Sequence, residues 1–299
     1  MNNKPATIAI SDNEFRLHRK PRFLRRFFHG QYPRNIHSGK PITEFVALAD
    51  QCARRGVLVV PHSRVEEFLR RGEPILKFGK TNLAGDLALL KRHPNPGSEW
   101  NQRNLETISE YNHFLNLGRK TWNLFLSAPE HQDKLRELFR QHGRLFVKSL
   151  HKGHSKVCSS YENLMAELGD LSRLSSESVE IFVSEVINIR QIEAETPEGR
   201  KLLPDEWRHY VYRQRLIASG HAFDCDSDRA DNSGQPANYV KARATIDELR
   251  QTDFATTYVL DTCSLGDATA AVIETNSFFA SGIYSRAAIQ AIAEAIVGG

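Results

Sequence analysis

Hydrophobic residues follow two patterns along this chain, and together they predict a fold that mixes helices with strands. Apolar runs of strand length occur at 6–10, 57–60 and 74–78. Between the first two of these runs, apolar residues at 42–55 recur every three or four positions, which is typical of a helix with one buried face. Alternation of this kind predicts a small α/β lobe in the N-terminal third.

Local signals divide this part of the chain further. Ser63 and Glu66 have the spacing of a capping box and predict the start of a second helix. Residues 80–102 are rich in Asn, Gly, Pro and His, which favours a connecting segment. We therefore expect an N-terminal domain at residues 1–100 and a second domain at residues 101–299.

The second domain has a different predicted order of elements, because its strands come mostly as neighbours or hairpins with helices between them. We predict strands at 144–150 and 179–189, a hairpin formed by 206–211 and 215–223, and helices at 129–143, 161–168, 237–249 and from 285 onward. Neighbouring strands of this kind favour an antiparallel sheet and an α+β class.

The most informative stretch is a predicted hairpin near the C-terminus, formed by 258–262 and 270–275 around a Gly-Asp turn. Asp261 lies on the first strand, and Glu274 and Asn276 point to one side of the second because strand neighbours alternate faces. Oxygen ligands grouped in this way suit Mg²⁺. The alternative is that these strand ends are polar only because they meet solvent.

Composition limits the classes of function. The chain has 299 residues, 40% hydrophobic and 25% charged, with a net charge of +4, which is compatible with an anionic ligand such as a nucleotide. Its four cysteines show no paired spacing, so a zinc site is not expected. No apolar run approaches the length of a membrane span, and with no signal peptide we expect a cytoplasmic protein.

The order of these motifs resembles the ATP-grasp superfamily over roughly the last half of the chain. A lysine on a strand, Lys148, precedes a loop at 151–156, and a later apolar strand contains Val183-Ser184-Glu185-Val186-Ile187. Arg208 on a following strand and the closing segment 281–284 also resemble the family's pattern. The resemblance is closest to uncharacterised bacterial and phage members, and it implies an N-terminal lobe followed by two sheet-containing lobes that enclose a nucleotide cleft.

The resemblance also implies ligands and roles. It implies that ATP and Mg²⁺ are the cofactors, and that Asp261, Glu274 and Asn276 hold the metal. It assigns nucleotide binding to Lys148, Lys152, Ser184, Glu185, Val186, Ile187 and Arg208. Arg208 and Arg243 are the candidate catalytic residues, acting on phosphate and on a substrate carboxylate or acyl phosphate respectively.

The implied reaction is ATP-dependent ligation of a carboxylate to an amine through an acyl phosphate, with small-molecule or peptide substrates. A kinase or phosphoryl transferase on the same fold is the alternative within enzymes. A binding protein without catalysis is a second alternative: it could be an inactive relative that keeps nucleotide binding, or a nucleic-acid binder using the basic run 16–26 with Phe23, Phe27 and Phe28. We expect neither a membrane partner nor, in the leading interpretation, a nucleic acid.

Overall fold

A computed structural model gives the fold of the chain over most of its length. It describes residues 7–20, 44–79, 88–89, 91–93, 119–149, 155–172, 180–196, 199–222, 236–283 and 285–298.

The N-terminal lobe contains a parallel three-stranded sheet flanked by helices, as the alternating pattern predicts. Its strands, in the order β2–β1–β3, are β1 (Thr7–Ile10), β2 (Val59–Pro61) and β3 (Ile75–Lys77). Its helices are α1 (Asp12–His18), α2 (Glu44–Arg54) and α3 (Val65–Arg71). Pro61 ends β2 and is tolerated there because the strand lies at the edge of the sheet, where a proline without an N–H donor can be accommodated.

The predicted capping box at Ser63 is wrong. His62–Arg64 form a short 3₁₀ turn, and Arg64 caps α3 without a side-chain hydrogen bond. The Ser63 hydroxyl instead donates to Asp12 Oδ1 at 2.6 Å, so a tertiary contact with α1 takes the group that the local motif would have used. A capping box does occur two helices earlier: Ser11 and Glu14 bond each other's backbone N–H at the start of α1.

An antiparallel sheet in the order β4–β7–β5–β6 forms the middle of the chain. Its elements are β4 (Thr121–Phe125), α4 (Pro129–His142), β5 (Leu145–Ser149), β6 (Ser155–Cys158), α5 (Tyr161–Ser172) and β7 (Glu180–Glu185). Strand β4 was not predicted, and β6 begins at Ser155, where a loop was expected. One buried cluster, which includes Leu138, Val147, Leu164 and Val183, packs both helices against the sheet.

A second antiparallel sheet, in the order β11–β10–β12–β13, follows in the C-terminal part. Its strands are β10 (Glu206–Tyr212), β11 (Arg215–His221), β12 (Tyr258–Ser264) and β13 (Ala270–Asn276), and its helices are α6 (Pro236–Leu249) and α7 (Arg286–Gly298). Both predicted hairpins and both predicted helices are confirmed. One face of the sheet presents Tyr210 and Val259 to a core shared with Phe278 and α7, and α6 packs on the sheet as well.

A hairpin also occupies the segment that was predicted to be a linker around residues 197–199. It consists of β8 (Gln191–Thr196) and β9 (Gly199–Pro204), paired only with each other. The described side chains of this hairpin are exposed or half-buried, including Leu202 at 66% exposure. Ile192 and Ala194 do alternate with polar residues along β8, but this strand signal is short and is followed by Pro197 and Gly199, which favoured a linker.

Contacts within the chain divide it into two units, Met1–Glu110 with Ile189–Gly299, and Tyr111–Asn188. The first unit contains the parallel sheet and the β10–β13 sheet, and the second contains the β4–β7 sheet. The mixed α+β class is therefore confirmed. The predicted boundary between domains 1–100 and 101–299 falls outside the described residues and stays a prediction. No helix in the described part of the chain is both long and apolar enough to cross a bilayer.

We expect Phe78→Ala to destabilise the first unit by about 3–5 kcal/mol, because it opens a cavity in the core. The Phe78 ring is fully buried and lies 5.0 Å from the centroid of Phe279, with Phe45 and Phe278 at slightly larger distances. Urea denaturation measures the free energy of unfolding. Leu58→Ala is the control, since Leu58 is 54% exposed and its loss should cost no more than about 0.5 kcal/mol. Equal losses in both variants would contradict this account of the core.

Candidate functional site

The structure brings together the three oxygen-bearing side chains of the C-terminal hairpin. Asp261 on β12 pairs directly with Glu274 on β13, and Asn276 lies two residues further along the same face. The Asn276 amide donates from Nδ2 to Asp261 Oδ2 at 2.8 Å and to Glu274 Oε1 at 3.0 Å. The convergence expected from strand geometry is therefore present, while the role of these residues as metal ligands stays a prediction.

Arg208 joins this group from the neighbouring strand. It lies opposite Asp261 in the β10–β12 register and donates from Nε to Oδ1 at 2.8 Å and from Nη2 to Oδ2 at 2.7 Å. Both side chains are largely buried, with 12% and 10% exposed, so each ion compensates the charge of the other. The two parallel hydrogen bonds fix the orientation of the carboxylate as well as its charge.

The loop after β13 closes against the same pair. Arg208 Nη1 donates to the Gly282 carbonyl at 3.3 Å, and the Tyr210 hydroxyl donates to that same carbonyl at 2.9 Å. Gly282 belongs to the segment 281–284 that resembles a substrate-side loop; Tyr284 lies outside the described residues. This loop is thus held by side chains of β10 and not by its own backbone alone.

The donor set fits a hard divalent cation. Two carboxylates and one amide gather within hydrogen-bond distance, and oxygen ligands of this kind are those that Mg²⁺ prefers. The amide nitrogen of Asn276 lies between the two carboxylates, and a cation bound there would need the oxygen of the same amide to face it instead. The described residues contain no group of three or more His, Cys, Asp or Glu side chains that could hold a metal, and the present cluster has two carboxylates with an amide as the third group.

The opposite face of the sheet carries a polar cluster that the sequence analysis did not find. Asp205, 1% exposed, accepts hydrogen bonds from Arg190 Nε at 3.0 Å, from Trp207 Nε1 at 3.1 Å and from His221 Nε2 at 3.2 Å. Burial alone would raise the pKa of Asp205, but hydrogen bonds from His221, Arg190 and Ser264 and the charge of Arg190 hold it well below its ordinary value.

His209 lies in the same polar layer and is fully buried. Its Nδ1 is 2.8 Å from Ser219 Oγ, and its Nε2 is 2.9 Å from Thr262 Oγ1. The Thr262 hydroxyl donates to Asn238 Oδ1 on α6 at 2.8 Å. Burial lowers the pKa of His209 to about 3, so the imidazole is neutral. The sequence offered no clear signal for this layer, since polar and aromatic residues at 205–211 come in adjacent pairs and do not alternate.

The predicted nucleotide-binding residues of the second unit lie on two adjacent strands. Lys148 is half-buried on β5, opposite Phe182 of β7. Ser184 is buried near the end of β7, Glu185 ends that strand, and the half-buried Val186 and Ile187 follow it. Lys152 lies outside the described residues.

Glu185 has partners inside its own unit. One carboxylate oxygen accepts from the Lys120 backbone N–H at 3.2 Å, and the other lies 3.6 Å from His142 Nδ1. Its own backbone N–H donates to the Lys120 carbonyl at 3.2 Å, and its carbonyl accepts from Arg119 at 3.4 Å. The partner expected for a carboxylate in an apolar strand is thus supplied by the segment that leads into β4.

Two further lysine and arginine candidates have local partners. Arg243 is on the exposed side of α6, and a hydrogen bond to Tyr239, one helical turn away, raises the pKa of its guanidinium. Lys156, expected in the loop, lies on β6 and forms an ion pair with Glu167 at 2.5 Å.

Comparison with family models gives no match to this chain, and comparison with curated proteins gives none either. Solved structures do match over nearly the whole length. D-cycloserine synthetase DcsG aligns with a TM-score of 0.55 at 11% identity, covering 98% of this chain and 99% of that one. A RimK domain protein ATP-grasp from Sphaerobacter thermophilus aligns with a TM-score of 0.54 at 14% identity, covering 97% and 98%.

The likeness to these structures defines an α+β protein of several sheets, as the sequence pattern predicted. More specifically, the chain shares the ATP-grasp fold of these solved structures. At identities of 11% and 14% the comparison establishes the fold, and the chemistry must be argued from the residues.

The buried neutral His209 predicts a loss of stability in mild acid. The pKa of His209 is about 3 in the folded protein and 6.5 in its ordinary state. Between these values the imidazole is protonated in the unfolded chain and neutral in the folded one. The stabilisation is complete above pH 6.5 and declines as the pH falls through that value toward the folded pKa. Between pH 6.5 and roughly 4.5 the free energy of unfolding should fall by on the order of 2–3 kcal/mol.

Urea denaturation across this pH range compares the wild type with His209→Gln. The variant should be less stable at pH 7, because the buried hydrogen bonds are poorly replaced, but its stability should change less with pH. An equally steep decline in both proteins would contradict the assignment to His209.

Proposed function

We propose that this protein is an ATP- and Mg²⁺-dependent ligase that joins a carboxylate to an amine. The observation that carries the proposal is the cluster of Asp261, Glu274 and Asn276, held by Arg208 on paired strands of a chain with the ATP-grasp fold. The solved structures that align with it include one named a synthetase and one named an ATP-grasp protein, which supports the same class of activity.

Asp261, Glu274 and Asn276 are the proposed ligands of Mg²⁺. Bound there, the cation would neutralise charge on the phosphate oxygens of ATP. Arg208 holds both oxygens of Asp261 and so presents a carboxylate of fixed orientation. Its guanidinium also adds a permanent positive charge beside the ligands, which is suited to the phosphate-directed role proposed for this residue.

The remaining nucleotide contacts are assigned to the second unit. Lys148 supplies a compact positive charge for the phosphates, and Glu185 accepts hydrogen bonds from the ribose hydroxyls. Ser184, Val186 and Ile187 offer backbone groups to the adenine. Lys152 is proposed as a further phosphate contact from its loop. Arg243 is proposed to hold the substrate carboxylate or acyl phosphate.

The proposed reaction has two steps. A substrate carboxylate oxygen attacks the terminal phosphorus of ATP, the bond to the bridging oxygen breaks, and ADP leaves with an acyl phosphate remaining. The amine then attacks the acyl carbon, the carbon–oxygen bond to phosphate breaks, and the nitrogen loses a proton to give an amide. The protein contributes mainly position and positive charge, as in other phosphoryl transfers.

The acid and the amine are proposed to be small molecules or peptides. We propose the cytoplasm as the compartment, since the described cysteines Cys52, Cys158 and Cys263 are free thiols, which persist in a reducing environment.

Two variants separate metal binding from nucleotide binding. Glu274→Gln should weaken ATP binding in the presence of Mg²⁺ by at least about tenfold and leave binding in EDTA unchanged, because only a metal ligand is lost. Lys148→Met should weaken binding under both conditions, because the lost charge acts on the phosphates directly. Isothermal titration calorimetry measures both affinities.

Lys201→Met, on the exposed strand β9, is the matched control for the loss of one lysine charge. Wild-type affinity in both Glu274→Gln and Lys148→Met would reject the assignments. Product analysis distinguishes the ligase from a kinase, since only the ligase releases free phosphate together with an amide.

A further inference from the structure

The pairing of β12 with β13 changes register at the candidate site. Asp261 pairs with Glu274, but the next residue, Thr262, pairs with Val272, so Ile273 has no opposite residue on β12. A bulge of this kind interrupts the ladder of backbone hydrogen bonds and re-aims the neighbouring side chains. The direction of the Asp261 carboxylate therefore depends on what fixes β12 at this point.

Thr262 is fixed from the other face of the sheet. Its Oγ1 donates to Asn238 Oδ1 on α6 at 2.8 Å and lies 2.9 Å from His209 Nε2 on β10. Thr262 itself is fully buried, as are His209 and Asn238, so water does not replace these bonds. Two different elements thus hold one hydroxyl at the register change.

The hydrogen bonds in this layer have a defined direction. Because the Thr262 hydroxyl proton goes to Asn238, the neutral His209 must donate from Nε2 and accept at Nδ1 from the Ser219 hydroxyl. Asn238 Nδ2 in turn donates to Ser264 Oγ at 2.7 Å, and Ser264 bonds Asp205. The Asp205 carboxylate, which can only accept hydrogen bonds, ends this series, so each group in the series donates toward it.

We propose that Thr262, held by His209 and Asn238, is a positioning residue that fixes the register change and thereby aims Asp261 at Arg208 and Asn276. The inference rests on the proposed function only for its consequence, which is the affinity of the site for a divalent cation. The geometric part concerns the chain's own residues and can be measured without any ligand.

The test replaces hydroxyls by methyl groups at two threonines. Thr262→Val removes both hydrogen bonds of the hydroxyl and keeps the branched side chain. Thr275→Val is the matched control: Thr275 is 1% exposed on β13, between Glu274 and Asn276, and among the described residues its hydroxyl has no hydrogen-bond partner. The same chemical change is thus made next to candidate ligands on both β12 and β13. Only Thr262→Val removes the hydrogen bonds to His209 and Asn238.

The first readout is the NMR signal of the Arg208 Nε–H, which donates to Asp261 Oδ1 at 2.8 Å. Thr262→Val should shift this signal and speed its exchange with solvent, while Thr275→Val leaves it as in the wild type. The imidazole ¹⁵N shifts of His209 should report the Nε2–H tautomer in the wild type. The second readout is Mn²⁺ binding in the presence of ADP, which Thr262→Val should weaken roughly tenfold.

Two further variants separate positioning from stability. Ser219→Ala removes the other hydrogen bond of His209 and leaves Thr262 bonded to both partners, so it should destabilise the protein without moving the Arg208 signal or Mn²⁺ affinity. Thr262→Ser restores the hydroxyl and should restore both readouts.

Wild-type behaviour of the Arg208 signal in Thr262→Val would overturn the proposal. An equal change in Ser219→Ala would overturn it too, since lost stability would then explain the effect. If the wild type fails to bind Mn²⁺ with ADP, the metal site of the proposed function fails, and the Arg208 signal still decides whether Thr262 positions Asp261.

Discussion

The ion pair between Arg208 and Asp261 is the interaction on which the candidate site depends. The two residues face each other on hydrogen-bonded strands and are nearly buried, so each would leave a costly uncompensated charge without the other. Through this pair, three segments are held in one place: the end of β13 through Asn276, the following loop through the Gly282 carbonyl, and strand β10 itself. The pair thus has a structural role as well as a proposed chemical one.

Strands β10 and β12 carry polar groups on both faces, which is unusual for strands so deeply buried. Arg208 and Asp261 lie on one face, and His209, Thr262 and Asp205 lie in the layer on the other. The side chains of Asp205, His209 and Thr262 all have hydrogen-bond partners in this layer, which favours one register for the strands. The hydroxyl of Thr275, on the same face of β13, has none among the described residues. A purely apolar layer would tolerate small shifts between strands that this one does not.

The loop after β13 is also tied to the N-terminal lobe, within the same unit. Phe78 at the end of β3 packs edge-on against Phe279, and the Gly79 backbone N–H donates to the Phe279 carbonyl at 2.8 Å. Gly79 has φ +104°, a conformation that glycine adopts without strain, and a side chain there would come within 3.7 Å of Glu14 and His62. Apolar packing therefore places the loop, and polar contacts from β10 then fix its carbonyl.

The sequence alone determined the elements whose signal is local. Hydrophobic spacing gave α2, α4 and the strands β5, β10, β12 and β13, and the alternation of strand faces was sufficient to bring Asp261, Glu274 and Asn276 together. Tertiary structure decided what local patterns do not encode: Ser63 bonds Asp12 in place of capping a helix, and β8 pairs with β9 where Pro197 and Gly199 indicated a linker. It also selected Asp261 as the partner of Arg208, because a guanidinium bonds whichever carboxylate the strand register sets opposite it, and that register is fixed by contacts between residues far apart in the chain.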